Sequence, residues 1–146
     1  MKRSDTMKLE FESRSVNEGF ARAVVGAYIA RLDPTLEELN DVKTAVSEAV
    51  TNCIVHAYPD SIGKIQLTVR LFEGGVIEIT VRDFGRGIEN IEKAREPMFT
   101  TGGDERSGMG FTIMESFTDS MKVKSKVGKG TTVTMRLKLK QRAGKR

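Results

Sequence analysis

The chain of 146 residues has little of what marks a secreted, membrane-bound or metal-clustered protein. Its one cysteine, Cys53, excludes an intrachain disulfide and any cysteine-based metal cluster. No apolar run approaches the ~18 residues that span a bilayer. The charged start, Met1-Lys2-Arg3-Ser4-Asp5-Thr6, is not followed by the apolar stretch of a secretory signal. A cytoplasmic protein with no membrane partner is the expectation. No repeat, linker or low-complexity tract interrupts residues 7–139, so a single domain is expected over 1–146, with an ordered core at about 7–139 and a basic tail at 140–146.

Acid is missing from one region. Residues 120–146 hold 10 Lys and Arg and no Asp or Glu, whereas residues 1–119 hold 14 Lys and Arg against 20 Asp and Glu. Such asymmetry can mark a nucleic-acid-binding tail. The spacing speaks for a different origin: Lys122, Lys124 and Lys126 alternate with Met121 and Val123, and Arg136, Lys138 and Lys140 alternate with Met135, Leu137 and Leu139. These are the solvent rows of two strands, where lysines also discourage edge-to-edge pairing. Only Arg142, Lys145 and Arg146 form a tail, and no direct nucleic-acid partner is expected.

The same periodicities order the rest of the chain. Met7, Leu9 and Phe11 alternate as a half-buried strand does. Ser15-Val-Asn-Glu18 reads as a capping box opening a helix to about Leu32. Asp33-Pro34 reads as an N-cap and first-turn proline for a long helix through Leu36, Leu39, Val42, Val46, Ala49, Val50 and Cys53, which Tyr58-Pro59 ends. Ile65, Leu67, Val69 and Leu71, a Gly74-Gly75 turn, then Ile77, Ile79 and Val81 read as a β-hairpin. Residues 84–110 hold six glycines and little periodicity, longer than the ~12–15 residues usual for a loop without function. A short helix from Phe111 to Phe117 and two strands joined through Gly128-Lys129-Gly130 complete the order β, α, α, β, β, loop, α, β, β. Tight turns between strands imply an α+β two-layer sandwich: a mixed, mostly antiparallel sheet with helices on one face.

Three constellations carry candidate chemistry. Glu48, Asn52 and His56 recur every four residues, a polar stripe beside the apolar face of the long helix. The Asn52 oxygen suits a hard cation such as Mg²⁺, which keeps waters and takes phosphate oxygens, and Glu48 suits proton acceptance. In Arg82-Asp83-Phe84-Gly85-Arg86-Gly87, a carboxylate at a strand end can accept from an exocyclic amine while glycines allow close backbone approach to a flat ring. In Arg106-Ser107-Gly108-Met109-Gly110, amides ahead of a helix offer a phosphate cradle. Taken singly, each is also what a solvated helix face or a glycine turn looks like. No Gly-Lys-Ser/Thr of a P-loop is present. His56, the only histidine, lies on the helix of Asn52, where packing or a phosphate-side hydrogen bond suits it better than self-phosphorylation. Cys53 falls on the apolar stripe, as a core residue does.

In order, Glu-x-x-x-Asn on a helix, Asp-x-Gly-x-Gly-Ile after a hairpin strand, Gly-x-Gly before a helix and Gly-x-Gly-Thr-Thr before the last strand resemble the four nucleotide-binding boxes of the Bergerat-fold GHKL ATPases. That superfamily includes gyrase, heat-shock protein 90, histidine kinases and MutL. Ser47-Glu48-Ala-Val-Thr-Asn52, His56-Ala-Tyr58 and Arg106-Ser-Gly-Met-Gly-Phe-Thr-Ile-Met-Glu115 look like the bacterial anti-sigma serine kinases within it, over nearly all of residues 7–139. Asn17-Glu18-Gly-Phe20-Ala21-Arg22 and Leu32-Asp33-Pro34-Thr35 fit the same group. The resemblance implies an anti-sigma factor and ATP-dependent protein-serine kinase. Such a protein sequesters a sigma factor, phosphorylates a serine on a STAS-type anti-anti-sigma protein and forms a homodimer. A nucleotide-gated sigma-binding module without significant transfer is the alternative. It further implies that Asn52 ligates Mg²⁺, that Glu48 acts as base, and that Asp83 binds the adenine amine of ATP or ADP. By the same token Gly85, Gly87, Thr100, Ser107, Gly108, Met109, Gly110 and Thr131 line the nucleotide, Arg106 meets the γ-phosphate, and Glu18 and Arg22 meet protein partners. The segment Thr100–Glu105 departs from the group in being about a residue shorter, with two glycines.

Overall fold

The computed structural model describes residues 2–95 and 105–140 and, within 105–109, the backbone alone. Strand β1 (Arg3–Glu12) leads to helix α1 (Val16–Ile29), a 3-10 turn at Ala30–Leu32 and helix α2 (Leu36–Asn52), which runs on as a π turn, Cys53–Ala57. Strands β2 (Lys64–Phe72) and β3 (Val76–Asp83) follow, then α3 (Ile91–Ala94), α4 (Glu105–Ser116), β4 (Ser120–Lys126) and β5 (Gly130–Lys138). The sheet order is β1-β2-β3-β5-β4.

The sheet is the mostly antiparallel one expected, and among the described residues every neighbouring pair is antiparallel. The reason is topological. The α1–α2 pair returns the chain to the end where β1 finished, so β2 runs back along it. The connection through α4 does set β4 in the same direction as β3, but β5 lies between them and opposes both.

The pleat sorts the side chains as the alternation requires. Ile65, Leu67 and Val69 of β2, Ile77, Ile79 and Val81 of β3, and Val133, Met135 and Leu137 of β5 are buried in one cluster with Ala21, Val25 and Ile29 of α1, Val42, Val46 and Val50 of α2, and Met114 of α4. Each large aliphatic side chain buried this way contributes about 1.5–3 kcal/mol. The other face of the sheet carries the expected basic rows, with Lys122, Lys124 and Lys126 exposed on β4. There Glu78 sits opposite both Arg70 and Arg136, accepting from them at 3.3 and 2.8 Å. No helix among the described residues is long and apolar enough to cross a membrane.

Both helix starts differ from the sequence expectation. Ser15 has helical backbone angles and its side chain caps nothing; Glu18, its supposed capping partner, instead accepts from Ser47 Oγ of α2 at 2.6 Å. A tertiary bond has displaced a local one. At α2 the N-cap is Thr35, not Asp33. Thr35 Oγ1 accepts from the Glu38 amide at 3.0 Å, and Glu38 Oε1 accepts from the Thr35 amide at 2.8 Å, an arrangement worth about 1 kcal/mol. Asp33 stands before the proline in the left-handed region (φ 54°), which Asp tolerates, and closes the 3-10 turn.

Candidate functional site

Between α2 and the β3–β5 end of the sheet lies a cleft of ≈ 890 Å³, within the roughly 300–1,000 Å³ of small-molecule sites. Its apolar walls are Ala49, Ala57, Val81, Ile88, Phe111 and Val133, and its polar groups include Asn52, His56, Asp83, Arg86, Lys93 and Thr131.

Period two puts Asp83 there. It is the last residue of β3 and continues the inward row of Ile77, Ile79 and Val81, so its carboxylate is turned into the core and is 5% exposed. Oδ1 accepts two backbone N–H groups, from Gly85 at 3.0 Å and Thr131 at 3.1 Å. Oδ2 accepts from the Cys53 thiol at 3.6 Å. Burial raises the Asp83 pKa above the ordinary carboxylate value, and the two amides and the thiol oppose that shift. Burial, then the Asp83 charge, drives the Cys53 thiol well above its usual range, so it stays protonated and donates.

Glycines admit the chain around this carboxylate. A side chain on Gly85 would collide with the Ala57 carbonyl, and one on Gly87 (φ +80°) with the Lys126 carbonyl. Gly87 lines the cleft; Gly85 stands behind it, serving Asp83 through its amide. Thr131 is buried and its hydroxyl shares a 2.7 Å hydrogen bond with Ser125 Oγ. Ser125 also accepts from the Ile88 amide at 2.7 Å, so one serine joins the β4–β5 hairpin to the glycine segment after β3. Tyr58 braces the same end: its hydroxyl donates to the Lys64 carbonyl at 2.7 Å and accepts from the Phe84 amide at 2.6 Å.

At the other end the polar groups come from helices. Asn52 and His56 face the cleft from α2 and the π turn, and Lys93 reaches it from α3, whose start Asn90 caps through its Oδ1. Helix α4 begins at Glu105, so the glycine run expected to precede a helix lies inside its first turns. The four opening amides of a helix lack intrahelical acceptors, as a phosphate cradle requires. Gly110 lets α4 come close: an added Cβ would meet Asn52 Oδ1 at 3.0 Å. Thr100 and the side chains of Arg106, Ser107 and Met109 lie outside the described residues, as does the side-chain environment of Gly108.

Glu48 is half-buried one turn before Asn52 and is not among the residues lining the cleft. Glu18, Arg22 and Ser47 form a cluster between α1 and α2. There the Arg22 guanidinium is 3.6 Å from Glu18 Oε2 and 3.5 Å from Ser47 Oγ. Sequence reasoning passed over three contributors. Ser125 had a readable signal, a polar residue in the inward row of Met121 and Val123. The donor role of Cys53 and the place of Lys93 had none, because both depend on contacts distant in the chain.

The family model for the histidine kinase-like ATPase domain matches residues 10–137. An anti-sigma F factor of Thermoanaerobacter sp. (strain X514) is 56% identical over 137 residues, 92% of this chain and 94% of that protein. The anti-sigma F factor of Anoxybacillus flavithermus is 54% identical over 131 residues, 88% of this chain and 89% of that one. Among solved structures, the RsbU and RsbW domains of a Mycobacterium tuberculosis protein superpose with a TM-score of 0.69 at 19% identity, over 93% of this chain and 32% of that one. The histidine kinase domain of a blue-light activated kinase from Erythrobacter litoralis gives 0.59 at 24% identity, over 88% and 66%. These two structural likenesses bear on the fold alone.

Proposed function

The chain belongs to the histidine kinase-like ATPase domain family and, within it, to the family of anti-sigma F factors, and from that premise we propose that it is a cytoplasmic, homodimeric anti-sigma factor that is also an ATP-dependent protein-serine kinase. It sequesters a sigma factor and phosphorylates a serine on a STAS-type anti-anti-sigma protein. The observation that carries the nucleotide reading is Asp83: a buried carboxylate, held by two backbone amides, facing an apolar-walled cleft large enough for a nucleotide. Such a group accepts from an amine on a flat ring.

The proposed roles draw on the family resemblance and, for the described residues, on the lining of the cleft. Asp83 accepts from the adenine amine, Val81, Ile88 and Val133 offer apolar walls, and Thr131 and Gly87 line the base end. Asn52 is the chain's oxygen donor toward Mg²⁺. Its neutral carboxamide, beside Gly110 of α4, fits a cation that takes the rest of its shell from phosphates and water. When bound, Mg²⁺ draws charge from the phosphates and aligns the terminal one. Glu48 takes the proton of the attacking serine hydroxyl as its oxygen bonds to the γ-phosphorus, and ADP leaves with the bond to the β-phosphate oxygen broken. Ser107, Gly108, Met109 and Gly110 cradle the phosphates, and Arg106 and Thr100 complete that end. Glu18 and Arg22 receive the protein partners. Their bonds to Ser47 set them beside Glu48 in the chain, so a partner on α1 docks next to the base.

One observation favours the alternative, a nucleotide-gated sigma-binding module without significant transfer: Glu48 lies outside the cleft lining. Incubation with Mg-ATP labelled at the γ-phosphate and a STAS partner separates the two. Label on the partner's serine, lost in Glu48→Gln while nucleotide binding persists, is the expected result. ATP binding with no label on serine rejects the kinase reading. Asn52→Ala is expected to abolish Mg-ATP binding by calorimetry.

A further inference from the structure

The family roles leave one buried, nucleophile-type side chain without a task. Cys53 is 4% exposed at the start of the π turn, where it extends the core stripe of α2, yet its thiol points at the carboxylate of the cleft. An ionised carboxylate offers about four lone-pair positions. Among the described residues, backbone amides take both positions of Asp83 Oδ1, and Cys53 takes one of Oδ2. One position remains, on Oδ2, at the wall of the cleft.

We propose that Cys53 is a positioning residue whose thiol fixes the plane of the Asp83 carboxylate and leaves it a single open acceptor, so that the cleft selects a base presenting one exocyclic N–H. The inference rests on the reading of Asp83 as the base-recognising group. The geometry supports a donor role over mere filling of space. A thiol is a weak donor, but its long C–S bond spans the gap from the π turn to β3. Removing the donor leaves a buried lone pair unsatisfied and frees the carboxylate to turn about its Oδ1 bonds, which costs more for an amine-bearing ligand than for one without the amine.

The test measures affinity for Mg-ATP and for Mg-purine riboside triphosphate, the same nucleotide without the 6-amino group, by calorimetry. Wild type is expected to prefer ATP by about 10-fold or more. Cys53→Ala is expected to reduce that preference roughly 5-fold with analogue affinity unchanged, and Cys53→Ser, which restores a donor, to recover most of it. Cys53→Val fills the volume without a donor and must behave as alanine does, which keeps the test valid should the alanine variant not fold. Equal losses for both nucleotides, or a preference that the alanine and valine variants leave intact, overturn the proposal. Equal wild-type affinity for the two nucleotides overturns the base reading of Asp83, and this proposal with it.

Discussion

The two ends of the cleft are made by different means. At the base end, Asp83, Thr131 and Gly87 are set by strand register and backbone amides, are buried or half-buried, and share partners, with Ser125 and Tyr58 bracing them from behind. At the other end, Asn52, His56 and Lys93 reach in from two helices and a π turn, half-buried or exposed, and the approach of α4 depends on one glycine. A flat apolar ring with one polar handle is best met by a fixed wall. A charged chain of phosphates with a cation is better met by side chains whose positions can adjust. Damage at the base end should therefore reach stability and affinity together, and damage at the helical end affinity alone.

The largest effect is expected from Asp83→Asn, which puts an amide N–H₂ where the adenine amine or the Cys53 thiol must donate: ATP binding weakens by about 100-fold or more, read by calorimetry with circular dichroism to check folding. A loss under 5-fold would remove Asp83 from base recognition. Tyr58→Phe deletes the hydroxyl that serves the Lys64 carbonyl and Phe84 amide. It should cost about 1–3 kcal/mol, a fall in Tm of roughly 4–12 °C at about 4 °C per kcal/mol. An unchanged Tm would show that the brace at the base end carries no weight.

Gly110→Ala probes the opposite end and should split the two quantities. Alanine favours the helix by roughly 0.5–1 kcal/mol, while its Cβ crowds Asn52 Oδ1, so Mg-ATP affinity falls roughly 3- to 10-fold with Tm level or higher. A drop in Tm would break the contrast. The smallest effect is on pH. Because burial raises the Asp83 pKa, the preference for ATP over its amine-free analogue should fade on acidification above the ordinary carboxylate value of 3.8. The same shift makes the free protein lose a little stability as pH rises from the unfolded value through the folded one, since the folded state holds the proton longer. In Asp83→Asn both dependences should vanish; their persistence would assign them to another group.

Much of this was legible in the sequence. Period two located every strand, and it alone explains why Asp83 is buried, since a residue two past Val81 has no other face to take. The Glu48, Asn52 and His56 stripe was likewise a matter of helical spacing, although spacing could not tell that Glu48 stops short of the cleft. Local capping rules failed where a stronger or distant partner existed. Glu18 left Ser15 for Ser47, 29 residues away, and Asp33 yielded the cap to Thr35, which forms a complete capping box with Glu38. The Cys53–Asp83 contact spans 30 residues and two elements, beyond what any local pattern encodes.

The π turn at the end of α2 bears on how this chain tolerates changes in length. Its closing bond runs from the Tyr58 amide to the Cys53 carbonyl, five residues apart, at 3.1 Å, so the turn holds one residue more than an α-helix accommodates. Deleting Ile54 or Val55 would let the helix close with regular α-helical bonds. It would also rotate the downstream chain by about 100°, taking His56 from the cleft and the Ala57 carbonyl from the Arg86 amide it receives at 3.3 Å. By contrast, the Gly74-Gly75 turn, at the end of the β2–β3 hairpin away from Asp83, has open space about Gly74 and can absorb an insertion. Indels are expected to survive at the hairpin and to be eliminated at the π turn, the place where a shorter chain would fold more simply and bind nothing.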